Sequence, residues 1–140
     1  MFYLDTSVLV SALTNEPRSS SVDEWLSRHE VGDLSISDWV ITESSSALSI
    51  KVRTGVIDTA LRGAILAQFT QLSVNMFGKL PVEASAFRTA ARFCDQSQLN
   101  LRAGDALHLA ICADHGATLC TLDQRLGHAA PLVGVGCIML

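Results

Sequence analysis

Several carboxylates in this chain stand directly beside hydrophobic runs, and this placement constrains how the chain can fold. Asp5 ends the first short apolar run, and Asp123 ends another, Ala117–Leu122. Asp105 begins a nearly all-apolar segment. A carboxylate within apolar sequence costs folding free energy unless something compensates its charge. Because the arrangement recurs at strand ends and at a helix start, we expect these side chains to share a cation.

Short strand-like segments alternate with helical segments, which predicts a parallel sheet covered by helices. Strands are predicted at Phe2–Leu4, Leu34–Ser37, Lys79–Pro81, Ala117–Leu122 and Gly136–Leu140. Helices are predicted at Thr6–Leu13, from Pro17, from Asp38 to Arg53, from Asp58, at Val82–Gln96, at Gly104–His115 and at Gln124–His128. The sequence contains no repeats and no low-complexity tracts.

Length and composition indicate one folded domain spanning residues 1–140. Hydrophobic residues make up 49% of the chain and charged residues 17%, which is typical of globular proteins. No apolar stretch approaches the roughly 20 residues that a membrane span needs. The N-terminus lacks a basic region, so we expect no signal peptide, no membrane association and a cytoplasmic location.

The cysteines are expected to be structural thiols. They lie far apart in the sequence, at Cys94, Cys112, Cys120 and Cys137. No Cys-x-x-Cys pair is present, so a zinc site is not expected.

The net charge of −4 at first argues against a nucleic-acid partner. However, the 14 acidic residues include four candidate site acids, and the remaining ten balance the 10 lysines and arginines. The surface outside the site can therefore be locally basic, and RNA is not excluded as a partner.

The candidate site acids can converge at one edge of the predicted sheet. Asp5 and Asp123 follow strands, and ligands bind beyond the carboxyl ends of the strands in open parallel sheets. Asp105 lies in the first turn of its helix, and Glu43 lies about one turn into another. Two unit charges about 5 Å apart repel by about 3 kcal/mol at an effective dielectric constant near 20. Converging acids would therefore either protonate in part or bind a hard cation such as Mg²⁺ or Mn²⁺. Such an ion can activate water and orient a phosphodiester.

A second interpretation of the same residues remains open. Asp5 and Asp123 can each cap the helix that follows, and Asp105 can satisfy its own N-terminal turn. Glu43 can be a surface residue that pairs with Lys51 or Arg53. Each acid taken alone favours this interpretation, whereas the set of four favours a metal site.

Together these motifs resemble a PIN domain, and more closely the VapC ribonuclease toxins of bacterial toxin–antitoxin pairs. The resemblance covers essentially the whole chain, in order and spacing. The motifs that carry it are Asp5-Thr6-Ser7 after a strand, Glu43 in a helix, the segment Leu101–Ala110 around Asp105, and Thr121-Leu122-Asp123.

The resemblance implies a three-layer α/β/α fold with a central, mostly parallel sheet and an endoribonuclease that depends on Mg²⁺ or Mn²⁺. Asp5 and Asp105 would be the principal metal ligands, Glu43 would assist coordination or orient water, and Asp123 would complete the cluster. The resemblance further implies a homodimer, and a cognate antitoxin whose C-terminal segment blocks the acidic groove. Transfer RNA is the first expected substrate, and ribosomal RNA the second.

Several other polar residues lie near these acids. By the resemblance, Ser7 and Thr121 would support the acids or contact phosphate. Arg102 is adjacent to the site and can contact phosphate or pair with one acid. His108, three residues after Asp105, is interpreted as a structural histidine of an apolar helix. Trp25 and Trp39 are interpreted as packing residues, although tryptophans can also stack on bases.

Three alternative functions can be compared with this pattern. A haloacid-dehalogenase-type phosphatase needs a second acid two residues after the first, where this chain has Ser7. A phospho-accepting receiver domain needs a late lysine, but the only lysines are Lys51 and Lys79. A non-catalytic PIN-like module that binds RNA or protein is the remaining alternative, and the presence of all four acids argues against it.

Overall fold

Five short strands form one sheet, as the alternation of segments predicts. The computed structural model describes residues 1–14 and 16–140. Its strands are β1 (Phe2–Leu4), β2 (Leu34–Ser37), β3 (Gly78–Leu80), β4 (Thr118–Thr121) and β5 (Cys137–Met139). Their order in the sheet is β3-β2-β1-β4-β5, and all four pairings are parallel. The fold is the predicted three-layer α/β/α arrangement.

Helices connect the strands, as parallel pairing requires. They are α1 (Thr6–Leu13), α2 (Ser19–Leu26), α3 (Asp38–Arg53), α4 (Thr59–Asn75), α5 (Ala84–Cys94), α6 (Ala103–His115) and α7 (Gln124–Ala129). Two 3₁₀ turns that the sequence did not predict follow α5 and α7, at Ser97–Leu99 and Ala130–Val133. In the described part of the chain, no helix is long and apolar enough to cross a bilayer.

Two helices begin two residues later than predicted, and local hydrogen bonds explain the difference for one of them. Helix α2 begins at Ser19 and not at Pro17. The Ser19 hydroxyl donates to the Thr14 carbonyl at 2.7 Å and accepts from the Glu16 amide at 2.9 Å, which fixes a turn before the helix. Helix α5 begins at Ala84, because Glu83 has an extended backbone (φ −80°, ψ 161°) at its N-cap.

The core is built on the central strands and on α6. Tyr3, Leu4 and Leu119 are fully buried in the sheet. Seven successive residues of α6, Ala106–Cys112, are also buried, which explains why this helix has no polar face. Cys112 and Cys120 are buried free thiols, as expected, whereas Cys94 is exposed.

The register of β1 and β4 places the residues that follow them side by side. Leu4 pairs with Cys120, and the Asp5 amide donates to the Cys120 carbonyl at 3.1 Å. Asp5 therefore leaves the sheet next to Thr121 and close to Asp123. Strand β2 ends at the same edge and leads into α3, which carries Glu43.

We expect Leu119→Ala to lower the free energy of unfolding by about 2–5 kcal/mol, because it leaves a cavity in the central sheet. The measurement is urea denaturation followed by circular dichroism. Val74→Ala is the matched control, since Val74 is 77% exposed on α4 and should change stability by no more than about 0.5 kcal/mol. Equal losses in the two variants would contradict the assignment of the core.

Candidate active site

The structure brings all four predicted acids to one cleft at the carboxyl edge of the sheet. The cleft has a volume of about 470 Å³. Its walls come from α1, α3, α6 and α7. The lining residues are Asp5, Thr6, Ser7, Val10, Glu43, Ser46, Ala47, Ile50, Arg102, Asp105, His108, Asp123 and Leu126.

Asp5 is the most buried of these acids, with 3% of its surface exposed. Its Oδ1 accepts from the Ser7 hydroxyl at 2.6 Å and from the Val8 amide at 3.2 Å, which caps α1. Its Oδ2 accepts from the Thr121 hydroxyl at 2.6 Å. Burial raises the pKa of Asp5, while His108 and these hydrogen bonds oppose the rise. Asp5 is therefore a buried acid that a nearby cation would stabilise in its charged form.

Ser7 and Thr121, the two predicted support residues, both contact Asp5 and tie it to the chain after β4. Besides donating to Asp5, the Ser7 hydroxyl accepts from the Leu122 amide at 2.9 Å. The Thr121 hydroxyl likewise accepts from the Asp123 amide at 2.9 Å. These hydrogen bonds couple the position of the Asp5 carboxylate to the backbone that carries Asp123.

Glu43 is held by side chains from two other helices. Its Oε2 accepts from the Thr6 hydroxyl at 2.7 Å and contacts His108 Nε2 at 2.6 Å. Burial alone would raise the pKa of Glu43, but the hydrogen bond and charge of His108, together with Thr6, lower it overall. The alternative pairing with Lys51 is wrong, because Lys51 pairs with Glu16 at 2.7 Å.

Gly104 lets Glu43 approach the first turn of α6. A Cβ at Gly104 would lie 2.7 Å from Glu43 Oε1 and 3.2 Å from Trp39 Cζ2. A larger residue would have to displace the carboxylate, so the glycine is part of the geometry of the cleft. Sequence reasoning did not single out this glycine.

The capping interpretation is correct for three acids, and it does not exclude a role in the cleft. Asp123 Oδ1 accepts from the Arg125 and Leu126 amides at 2.8 and 3.0 Å and caps α7. Asp105 Oδ2 accepts from the Arg102 amide at 3.3 Å. Each cap fixes the direction of a carboxylate whose remaining surface faces the cleft.

Arg125 is a residue of this region that sequence reasoning missed. Its Nη2 lies 3.1 Å from Asp105 Oδ2 and 3.8 Å from Asp123 Oδ2. The ion pair considered for Arg102 is formed by Arg125 instead, as far as the described residues show. The sequence places Arg125 two residues after the predicted site acid Asp123, and this short spacing could have identified it.

His108 and the tryptophans can also be placed. His108 lines the cleft, where its buried ring contacts Glu43. Trp25 packs edge-on against Phe2, with ring centroids 5.7 Å apart, which agrees with a packing role. Trp39 lies against Gly104 beside the cleft.

The donor set fits a hard divalent cation, although it does not form a closed cage. The acids supply only oxygen ligands, and burial alone disfavours the charged form of Asp5. Within residues 1–14 and 16–140, no three acidic, histidine or cysteine side chains lie close enough together to surround an ion. Mg²⁺ commonly binds through one or two carboxylates and keeps several waters, so an open arrangement is compatible with it.

Fold and cleft define a parallel α/β domain with an acidic site at the carboxyl edge of its sheet. The family model of the PIN domain matches residues 2–131 of the 140-residue chain. The chain therefore belongs to the PIN domain family. No curated protein matches it closely enough to count as a relative.

Several solved structures share this fold, and some of them are described as a toxin or as toxin–antitoxin proteins. FitAcB from Neisseria gonorrhoeae matches with a TM-score of 0.77 and 20% identity, over 99% of this chain and 96% of its own. VapC20 from Mycobacterium tuberculosis, described as a sarcin-ricin loop cleaving toxin, matches with a TM-score of 0.72 and 16% identity over 100% of both chains. VapBC2 from Rickettsia felis, bound to a promoter DNA fragment, matches with a TM-score of 0.70 and 17% identity, over 100% of this chain and 99% of its own. At these identities the likeness shows the fold.

We expect Gly104→Ala to weaken Mn²⁺ binding at least about tenfold, because the added methyl group displaces Glu43 from its position in the cleft. Isothermal titration calorimetry measures the affinity. Gly63→Ala is the matched control, since nothing lies within 4 Å of a Cβ built there. That variant should gain about 1 kcal/mol of stability and bind Mn²⁺ normally. Unchanged Mn²⁺ affinity in Gly104→Ala would show that Glu43 does not contribute to ion binding.

Proposed function

We propose that this protein is an endoribonuclease that depends on Mg²⁺ or Mn²⁺ and acts as the toxin of a VapBC-type toxin–antitoxin pair. The observation that carries the proposal is the meeting of Asp5, Glu43, Asp105 and Asp123 in one cleft of a PIN domain. The PIN domains of VapC toxins are generally nucleases. Proteins with the same fold that are described as a toxin or as toxin–antitoxin proteins add support.

In this proposal, Asp5 and Asp105 are the principal ligands of the ion, with Glu43 and Asp123 assisting. A bound divalent cation would supply Lewis-acid activation of water and charge stabilisation at the phosphodiester. Asp5 cannot move freely, because Ser7 and Thr121 hold both of its oxygens. The Asp5 carboxylate is therefore held in one position. Asp105 and Asp123 are more accessible to a substrate in this proposal, because 19% and 37% of their side chains are exposed.

Arginine side chains at the rim can attract a polyanionic substrate. Arg102 lines the cleft, and Arg125 lies between Asp105 and Asp123 with 30% of its side chain exposed. The guanidinium of Arg102 can bind a phosphate in two-point fashion, whereas that of Arg125 already contacts Asp105 and Asp123. This local positive charge makes RNA binding compatible with the net charge of −4.

The substrate and partners belong to the same proposal. Transfer RNA remains the first expected target, and ribosomal RNA the second. We further propose a homodimer, a cytoplasmic location and a cognate antitoxin whose C-terminal segment covers the acidic cleft. The proteins of the same fold that are described as toxin–antitoxin complexes or systems support the antitoxin partner.

One observation favours a second candidate function, a PIN module that binds RNA or protein without cutting. Arg125 already neutralises Asp105, and no three candidate ligands in the described chain surround an ion. A guanidinium that stays between these acids would lower the affinity for a metal. The two candidates differ in whether RNA is cleaved.

Purified protein should cleave transfer or ribosomal RNA when Mg²⁺ or Mn²⁺ is present and should stop when EDTA is added. Asp5→Asn and Asp105→Asn should each lower the cleavage rate by at least about a hundredfold, since loss of charge stabilisation at a reacting phosphate costs several kcal/mol. Sequencing the 5′ ends of the fragments identifies the cleaved bond.

Asp95→Asn, at the exposed C-terminus of α5, serves as the control for loss of one negative charge and should leave the rate unchanged. RNA binding without cleavage in the wild type would favour the non-catalytic module. Full activity in Asp105→Asn would rule out the assigned site.

Metal binding should stabilise the fold, and Asp5 should determine how much. At about 100 times its dissociation constant, Mn²⁺ should add about 2.7 kcal/mol to the free energy of unfolding of the wild type. Asp5→Asn should show little of this gain. Thermal unfolding with and without Mn²⁺ measures the difference.

The raised pKa of Asp5 predicts that the stability of the metal-free protein depends on pH, and Asp5→Asn tests this prediction. Burial raises the pKa of Asp5 above its ordinary value of 3.8, so this group favours folding at low pH and loses that contribution as pH rises through the folded pKa. Asparagine does not ionise, so Asp5→Asn avoids this destabilisation. The free energy of unfolding of the variant, relative to that of the wild type, should therefore increase from pH 4 towards pH 8. A constant difference across this range would contradict the buried-acid assignment.

A further inference from the structure

An apolar groove lies beside the cleft, on the other side of Gly104. It has a volume of about 270 Å³ and lies between α5 and the first turns of α3 and α6. No charged residue lines it, and its lining residues are Trp39, Phe87, Ala90, Ala91, Cys94, Ala103, Gly104 and Leu107. A Cβ at Gly104 would lie 2.7 Å from Glu43 Oε1 and 3.2 Å from Trp39 Cζ2, so this glycine separates the groove from the cleft.

The exposed face of α5 carries an aromatic side chain at the edge of this groove. Phe87 is 56% exposed, whereas every other aromatic side chain in the described part of the chain is buried or half-buried. An exposed phenylalanine next to an open apolar groove is typical of a surface that another protein molecule covers. This face therefore presents both a projecting ring and a groove that can receive one, as a self-complementary two-fold interface requires.

The spacing of residues on α5 shows how two copies of this helix can pair. An α-helix turns by about 100° and rises by about 1.5 Å per residue. Measured from Ala91, Phe87 and Cys94 therefore lie about 40° and 60° towards the groove, about 6 Å before and 4.5 Å after it along the helix axis. Arg88 and Asp95 lie about 60° and 40° to the opposite side, about 4.5 Å before and 6 Å after Ala91. Asp95 directly follows α5 and keeps helical backbone angles (φ −62°, ψ −20°).

Antiparallel pairing of two α5 helices about a two-fold axis at Ala91 brings these residues together. Such an axis exchanges the positions before and after Ala91 and keeps each residue on its own side of the interface. Phe87 then faces Cys94 of the partner subunit, in the groove of that subunit. Arg88 faces Asp95 of the partner subunit, and both are exposed side chains that form no ion pair within the described part of the chain. The small side chain of Ala91 allows the two helices to approach closely at the axis.

We propose that this face of α5 is the surface through which a second copy of the chain binds to form the homodimer. Shape and charge both favour a second copy, because the ring, the groove and the two opposite charges occupy positions that one two-fold axis exchanges. The proposal rests on the homodimer of the proposed function and makes no use of RNA cleavage. Since Gly104 separates the groove from the cleft, the second subunit lies directly behind Glu43.

Charge reversal tests the pairing of Arg88 with Asp95 across the axis. Arg88→Asp places two acids opposite each other and Asp95→Arg places two arginines opposite each other, so each variant alone should dimerise at least about tenfold more weakly than the wild type. An equimolar mixture restores both opposite-charge pairs in a heterodimer and should recover an affinity close to that of the wild type. Sedimentation velocity over a series of concentrations, with one variant fluorescently labelled, measures the dissociation constants. Unweakened single variants, or a mixture that stays weak, would refute the pairing.

Phe87→Asp tests the apolar contact, because it places a charge in the groove of the partner subunit. This variant should be monomeric at concentrations where the wild type is a dimer. Val74→Asp is the matched control and should remain dimeric, since Val74 is 77% exposed on α4 and does not line the groove. Circular dichroism checks that both variants are folded.

The outcomes separate this surface from the rest of the proposed function. A dimeric Phe87→Asp would refute the surface alone, whereas a monomeric wild type would refute both the surface and the homodimer. Asp95→Asn removes a charge without reversing it and should weaken the dimer less than Asp95→Arg does. The measurements need neither RNA nor a metal ion, so a wild type that dimerises as described but does not cleave RNA would refute only the nuclease.

Discussion

The buried carboxylate of Asp5 is the constraint on which the site depends. It lies where β1 ends, it is 3% exposed, and both of its oxygens are held by hydroxyl groups. Those hydroxyls belong to Ser7 in α1 and Thr121 in β4, so one acid ties the central strand to its neighbour and to the first helix. Hydrogen bonds offset only part of the desolvation cost of such a group, and its pKa remains raised. The fold thus retains a local instability at the point where the other acids converge.

The acids serve two purposes that are usually weighed as alternatives. Asp5 and Asp123 cap the helices that follow them, and Asp105 accepts a backbone amide at the start of α6. Capping satisfies amides that would otherwise lack partners and fixes each side chain in one direction. Because those directions meet in one cleft, the caps also build the acidic site. Structural and chemical roles are therefore compatible for the same residue.

Two kinds of contact compensate the negative charge of the acids in the cleft. Arg125 lies between Asp105 and Asp123 and places a positive charge beside them. Glu43 is balanced by the donors Thr6 and His108, and the latter connects through Tyr3 to Ser37 in the core. Glu43, Asp105 and Asp123 thus each have a donor or a positive charge beside them.

The sequence by itself determined the helices and strands and identified the four candidate site acids. Apolar runs of strand length, helical spacing and capping residues predicted all five strands and nearly every helix, because these signals are local. The ends of β1 and β4 also placed Asp5 and Asp123 at one edge, since parallel strands must share it. Only the tertiary structure decided the partners of these acids. The contacts of Arg125 with Asp105, of His108 with Glu43 and of Tyr3 with His108 join residues 20, 65 and 105 positions apart. Such contacts depend on how helices rotate and pack against the sheet, which no local pattern specifies.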